Sequence, residues 1–217
     1  MSYDAVLFDN DGIIVEPTSW AEIRPAIRSA FERLGVDDPT EEAIEGLIDV
    51  SVPDVRAVAD AHGVDAEALW RERDAAASAY QIASIHAGET PLYDDADAIR
   101  SMPAPRAIVS NNQHATVSAV VEHFDLGSWF DVVYGRQPTL ADVRRKKPDP
   151  YYLERTLERL DATDALFVGD SPSDLVAARR AGIDAAFVRR PHRADVELPF
   201  EPRFEVPDLA ALRARLE

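Results

Sequence analysis

The chain has 217 residues, 46% apolar and 29% charged, enough to bury a sizeable core and too hydrophobic for a disordered polypeptide. It has no cysteine, which excludes disulfides, thiolate metal sites and cysteine nucleophiles. Forty acidic side chains against 23 basic ones leave a net charge of −17, a field that repels nucleic acid and anionic membranes. No run of 18 apolar residues is available to span a bilayer, and Asp4, Asp9 and Asp11 fall where a signal peptide would be apolar. The expected setting is therefore cytoplasmic, with no membrane or nucleic-acid partner.

Residues 4–8 form an apolar run ending in Asp9, the pattern of a buried strand whose carboxyl end delivers Asp9-Asn10-Asp11-Gly12. From Thr18 to Gly88 the apolar residues take helical spacing: Trp20, Ile23, Ile27, Phe31 and Leu34, then Ala43 and Leu47, then Val55, Val58 and Ala59, then Leu69, Ala76 and Tyr80. Thr40 and Pro53-Asp54 mark helix starts, and Gly35 and Gly63 mark stops. Three or four antiparallel helices and no strand are predicted there. The later chain alternates: helix near 95–102, strand Ala107–Ser110, helix near 114–124, strand Asp131–Tyr134, helix from Pro150 to Leu160, strand Ala165–Val168, helix Ser173–Ala181, strand Asp184–Val188. The tail 189–203, rich in Pro and Arg, reads as a surface loop before a strand at 203–206 and a helix at 208–216. Short apolar runs alternating with helices predict an α/β fold with a doubly wound parallel sheet, Rossmann-like in its layering. Ligands of such sheets lie outside the carboxyl ends of the strands.

Three predicted strand ends carry polar residues that one chemistry can use together: Asp9 to Gly12, Ser110-Asn111-Asn112, and Gly169-Asp170-Ser171-Pro172-Ser173-Asp174. Between the last two lies Lys146-Lys147-Pro148. Asp9, Asp11 and Asp170 would repel one another unless a cation sat among them, and an all-oxygen donor set suits Mg²⁺. Ser110 offers a hydroxyl, the N–H groups after it an anion-binding helix start, and Lys147 a point positive charge. These are the parts needed to transfer a phosphoryl group to a carboxylate nucleophile. Singly they have plain structural readings, as an Asx turn or a helix cap; the information lies in their joint placement on strand ends.

With these segments the sequence resembles the haloacid dehalogenase-like hydrolase superfamily, in particular its helical-cap, phosphoglycolate phosphatase-like members. FDNDGIIV resembles the first motif, IVSNNQ the second, KKPDP the third and FVGDSPSD the fourth. The resemblance covers essentially the whole chain. It implies an α/β catalytic core from 1–16 and 92–217, with an inserted helical cap at 17–91. It implies that Asp9 is the nucleophile and becomes an aspartyl-phosphate, and that Asp11 is first general acid, then base, with its carbonyl on Mg²⁺. Ser110 and the N–H of Asn111 would hold the phosphoryl group, and Lys147 would neutralise charge between nucleophile and phosphate. Asp170 would bind the metal directly, Asp174 directly or through water. Dehalogenating members lack the second Asp, so Asp11 favours a phosphatase acting on a small phosphorylated metabolite. A sugar-phosphate mutase and a non-catalytic phosphate-binding module are the alternatives, and monomer and homodimer are both open.

Trp20, Ser51, Arg56 and His86 are the cap positions considered for substrate contact, and His114 borders the second motif; all have ordinary packing or surface readings and stay outside the catalytic set. Lys146, one residue from Lys147 in a segment read as extended, is expected to face solvent. The basic residues are 21 Arg and only two Lys, and Asp outnumbers Glu by 24 to 16. That balance points to a protein working at very high salt, since at ~1 M the screening length falls to about 3 Å. An ordinary acidic cytosolic protein is the plainer alternative.

Overall fold

The computed structural model describes residues 3–103 and 105–217, so the first two positions of the expected 1–16 core segment lie outside the described residues. Six parallel strands form one sheet in the order β3-β2-β1-β4-β5-β6: β1 Ala5–Phe8, β2 Arg106–Gln113, β3 Val132–Arg136, β4 Ala165–Gly169, β5 Asp184–Val188 and β6 Phe204–Val206. β1 is apolar at every position because both faces of the sheet are covered. Val6 and Phe8 enter one core with Ile108, Leu166 and Val168, while Ala5 and Leu7 enter another with Ala107, Phe167 and Leu153.

The strand order reverses at β1, which lies between β2 and β4. Phe8 is in register with Ile108 on one side and Val168 on the other. The residues that follow these three strands therefore meet at one edge, where ligands bind in open parallel sheets.

Between β1 and β2 run four helices: α1 Trp20–Arg33, α2 Glu41–Glu45, α3 Val52–His62 and α4 Ala66–Ala87. Their starts follow the capping chemistry visible in the sequence. Ser19 and Glu22 form a reciprocal capping box on α1, Thr40 caps α2, and Gly63 ends α3 in the left-handed conformation. Ile27, Phe31, Leu47, Val55, Leu69 and Trp70 form a hydrophobic core of this segment. Its seam against the sheet is polar. Ser78 and Thr116 share a hydrogen bond of 2.8 Å, and Gln81 accepts one of 2.8 Å from Asn112 Nδ2.

The remaining helices are α5 His114–His123, α6 Leu140–Arg144, α7 Tyr151–Leu160, α8 Pro172–Arg180 and α9 Leu209–Leu216. Several sequence expectations need correction. Residues Ala96–Ser101 form a 3-10 helix in place of the expected helix near 95–102. β2 runs three residues past Ser110, through a register irregularity, to Gln113. α6 was not expected; Thr139 caps it, and Leu140 and Val143 pack into the helical core. The tail is also no simple surface loop. Arg190 is buried, donating to Gly12 O, Ile13 O and both oxygens of Asp95, so the chain after β5 is tied to the loop after β1.

Candidate active site

β1 ends in Asp9, which is buried although charged in water, and its Oδ1 accepts the N–H of Asn10 at 2.8 Å. Lys147 Nζ lies 2.8 Å from Asp9 Oδ1, 2.7 Å from Asp174 Oδ1 and 3.2 Å from the Val109 carbonyl. Burial pushes the Asp9 carboxyl up to about 8; attraction by Lys147 opposes this, and repulsion from Asp174 and Asp11 adds to it. Burial works against the charge on Lys147, but Asp174 and Asp9 outweigh it and raise its pKa. The pair thus holds a carboxyl group and a cation in mutual contact away from bulk water.

Asn111 fixes Lys147 in place. Its Oδ1 accepts the Lys147 N–H at 2.7 Å and its Nδ2 donates to the Lys147 carbonyl at 3.1 Å. This side-chain clamp was not foreseen; only a backbone role toward phosphate was. Ser110 is buried beside it, and its Oγ accepts the Asn112 N–H at 3.1 Å.

Lys146 does not face solvent. The Asp149 N–H closes a turn onto the Lys146 carbonyl at 2.8 Å, so the alternation of an extended segment does not apply. Both lysines line the same cleft, and Lys146 Nζ reaches Asp49 Oδ1 at 3.3 Å.

Oxygens of Asp9, Asp170 and Asp174 lie within 4.8 Å of one another, and all three residues are buried. Three of the four expected metal residues, Asp174 among them, thus meet, and the Asp11 carboxylate is not part of the cluster. The Asp11 carboxylate is taken by Asn112 Nδ2, at 3.2 and 3.1 Å, and stands apart. Asp174 belongs because its Oδ2 caps α8, accepting the Ser171 N–H at 2.9 Å and its hydroxyl at 2.7 Å, which aims Oδ1 inward. That Oδ1 is buried in ion contact with Lys147 but receives no aligned hydrogen bond. A buried carboxylate oxygen with a free lone pair, in an all-oxygen set, fits a hard divalent cation such as Mg²⁺. Gly12 leaves room for the trio: at φ +82° a Cβ there would come 2.3 Å from Asp170 Oδ2.

Asp170 Oδ2 also accepts from His192 Nε2 at 2.8 Å and Arg193 Nε at 2.9 Å, both on the turn after β5 that composition had assigned to a surface loop. Burial raises the Asp11 pKa, with the Asn112 hydrogen bond opposing, so this carboxyl is biased to carry a proton.

These groups open into a cleft of about 420 Å³ that continues to the helical segment. Trp20, Trp70, Arg73, Gln81, Asn112 and Arg136 line it, along with both lysines. Of the cap positions considered from sequence, Trp20 is on the cleft and 48% exposed. Ser51 instead bonds Asp54 at the start of α3, His86 packs on His123, and His114 accepts the Gly135 N–H at 3.3 Å. Arg73, outside the positions expected from sequence, carries a signal there nonetheless: it stands four residues after Leu69 and three before Ala76, a cation inside the apolar stripe of a helix.

A buried acidic centre with a lysine among its carboxylates, placed at the switch point of a doubly wound sheet, defines an α/β enzyme that handles an anionic substrate. The chain belongs to the haloacid dehalogenase-like hydrolase family, which matches residues 6–188. It is similar to a 5'-nucleotidase of Pseudomonas aeruginosa, 24% identical over 100% of this chain and 97% of the relative. It is also similar to a phosphoglycolate phosphatase of Neisseria gonorrhoeae, 25% identical over 82% of this chain and 76% of the relative. Among solved structures, CbbY from Rhodobacter sphaeroides in complex with phosphate shares the fold, with a TM-score of 0.71 and 22% identity over 97% of this chain and 96% of that one.

Proposed function

We propose that this hydrolase is a Mg²⁺-dependent phosphatase that cleaves small phosphate monoesters through an aspartyl-phosphate on Asp9. The observation that carries the reading is Lys147 wedged between Asp9 and Asp174, with Asp11 held apart as a separately hydrogen-bonded carboxyl. Family membership and the relatives named phosphatases support it. Asp9, Asp170 and Asp174, with the Asp11 carbonyl, would hold Mg²⁺, which supplies positive charge and orientation toward the phosphate.

Asp9 attacks phosphorus while the ester P–O bond breaks, and Asp11 gives its proton to the departing oxygen. Asp11, now a carboxylate, takes a proton from water as that water attacks the acyl phosphate, and inorganic phosphate leaves with Asp9 restored. Lys147, Ser110 and the Asn111 N–H hold and neutralise the transferring group. The core of 1–16 and 92–217 supplies these groups. The cap of 17–91 covers them, excluding water from the first step. A cytoplasmic enzyme acting on a soluble metabolite accords with the acidic surface, and no helix among the described residues is long and apolar enough to cross a membrane.

The test is phosphate release from a panel of phosphorylated metabolites with Mg²⁺. Activity that disappears in Asp9→Asn, together with a beryllofluoride adduct formed by the wild type and absent from that variant, supports the reading. Unimpaired turnover in Asp9→Asn overturns it, and isomerised phosphosugar in place of free phosphate identifies a mutase.

A further inference from the structure

Three cations line the cleft away from the acid centre: Arg73 on α4, Arg136 at the end of β3, and Lys146. None has a role in the phosphoryl chemistry just described. Arg73 and Arg136 are both buried, at 3% and 4% exposure, and they share one carboxylate. Arg136 takes Asp74 with both terminal nitrogens, Nη2 at 2.7 Å from Oδ1 and Nη1 on Oδ2, and its Nε donates to Asn111 O at 2.9 Å. Three of its five N–H groups, at least one on every nitrogen, are thus engaged. Arg73 reaches the same Asp74 Oδ1 through Nη1 at 3.1 Å and places Nε on the Leu47 carbonyl at 3.1 Å. Its Nη2 makes no hydrogen bond among the described residues.

The charges on this wall do not cancel. Asp74 balances one guanidinium, and the other carboxylate at hand, Asp49, is 83% exposed and lies against Lys146 at 3.3 Å. Burial, opposed by Asp74 and reinforced by Arg136, pushes the Arg73 pKa down to about 10. A buried cation in this position is costly unless an anion completes it. The guanidinium carbon lies 5.1 Å from the centre of the Trp70 ring and 6.0 Å from that of the partly exposed Trp20 ring, while Leu47 O and Asp74 hold its Nε and Nη1. It is thus pre-organised to offer an N–H edge to a planar or tetrahedral oxyanion.

We propose that Arg73, with Lys146 beside it, binds a second anionic group of the substrate, a carboxylate or phosphate remote from the phosphoryl group being transferred. The inference rests on the phosphatase reading and narrows it: the preferred ester carries negative charge at both ends. Neutral alcohol and unsubstituted sugar monophosphates leave Arg73 unpaired and are poorer substrates. Trp20 and Trp70 flank the organic link between the two anions.

The experiment compares kcat/KM within two matched pairs in the Mg²⁺-loaded enzyme: phosphoglycolate against hydroxyethyl phosphate, and a hexose bisphosphate against its monophosphate. A charge-assisted hydrogen bond to the second anion is worth about tenfold to 100-fold in one of the two ratios. Preference within the first pair assigns a carboxylate, and preference within the second a phosphate. Arg73→Gln should collapse the favoured ratio by at least about tenfold, and Lys146→Gln should reduce it more modestly. If Arg73→Gln does not fold, the wild-type ratios and Lys146→Gln still decide. Wild-type ratios near one in both pairs, or a favoured ratio unmoved by the variants that fold, would overturn the second-anion seat and leave the phosphatase standing. No hydrolysis of any of the four esters, or of p-nitrophenyl phosphate, would instead remove the reading beneath it.

Discussion

Lys147 and Asp9 are in contact at 2.8 Å, with the ammonium almost wholly buried. Lys147 also touches Asp174 at 2.7 Å and lies 5.1 Å from the Phe167 ring. One compact cation therefore sits among two carboxylates, a carbonyl and an aromatic face. A guanidinium is wider and planar and would displace a neighbour from such a place. The rest of the chain uses Arg for every basic position except 146 and 147. Whatever disfavours Lys elsewhere is overruled where the space admits only an ammonium.

Lys147→Arg should lower kcat by at least ~10²-fold, equivalent to about 2.7 kcal/mol of transition-state stabilisation. Lys146→Arg keeps its charge, and Lys146 lies against the exposed Asp49 and not between buried carboxylates, so its loss should be at least about tenfold smaller. Steady-state kinetics on one phosphate ester decides, and equal losses would show that position 147 has no special demand for an ammonium.

Asp9 gives a pH dependence with a definite sign. In the metal-free protein its pKa is pushed up to about 8, mainly by burial, whereas an unfolded chain has about 3.9. Between those values the folded state holds a proton that the unfolded state has released, so stability falls as pH rises. The contribution is fully present below about pH 4 and gone above about pH 8. Asp9→Asn removes it. In a chelator, the Tm advantage of Asp9→Asn over wild type should widen between pH 5 and 8, and Mg²⁺ should narrow it. A difference that stays constant over that range would mean Asp9 is ionised throughout.

Much of this centre was legible in the sequence because it rests on strand ends. Apolar runs buried on both faces place Asp9, Ser110 and Asp170 at one edge once a parallel sheet is assumed, and the capping signature Ser171-x-x-Asp174 is local chemistry. What escaped depends on distant packing. Arg190 sits in a Pro- and Arg-rich stretch that reads as loop, yet its partners lie beside β1 and at Asp95. α6 has only five residues, too few for a periodic signal, and is fixed by Leu140 and Val143 against the helical core. The Lys146 segment reads as extended from sequence, but the Asp149 N–H closes it into a turn and its side chain enters the cleft.

Arg190 should be a large stability determinant. It is buried, donates to two carbonyls of the loop after Asp11, pairs with Asp95 through two nitrogens and lies 3.8 Å from the centre of the Tyr93 ring. Removing one member of a buried ion pair strands the other, at about 3–5 kcal/mol. Arg190→Ala should lower the free energy of denaturant unfolding by that much, while exposed Arg56→Ala should stay within about 0.5 kcal/mol. A loss below about 1 kcal/mol for Arg190→Ala would show that Asp95 and the carbonyls find other partners.

Gly12 ties backbone conformation to the proposed Mg²⁺ site. Its φ of +82° disfavours any side chain, and an added Cβ would come within 2.3 Å of Asp170 Oδ2 and 2.5 Å of its Cγ. Asp170 cannot retreat easily, because His192 and Arg193 already hold that oxygen. Gly12→Ala should weaken Mn²⁺ binding, read by electron paramagnetic resonance, by at least about tenfold, roughly 1.4 kcal/mol. Unchanged Mn²⁺ affinity would separate Asp170 from the ion site.

The net charge of −17 makes a prediction about salt that is independent of the catalytic reading. Two electrostatic effects oppose each other when KCl is added. Exposed pairs such as Arg24–Glu41 and Arg28–Glu41 lose attraction, but ion pairs in open solvent contribute little to stability. The excess of acidic over basic side chains repels itself in the folded state more than in an expanded chain, and screening relieves that repulsion. With 40 acidic residues against 23 basic, relief should win. The screening length falls from about 10 Å at 0.1 M to about 3 Å at 1 M, so most of the gain should come below 1 M. A rise from solute exclusion would continue in proportion to concentration, as it does with sucrose. Tm measured from 0.1 to 2 M KCl should therefore climb steeply and then level. A flat or falling curve would refute adaptation to high salt, and a straight climb matched by sucrose would assign the gain to exclusion.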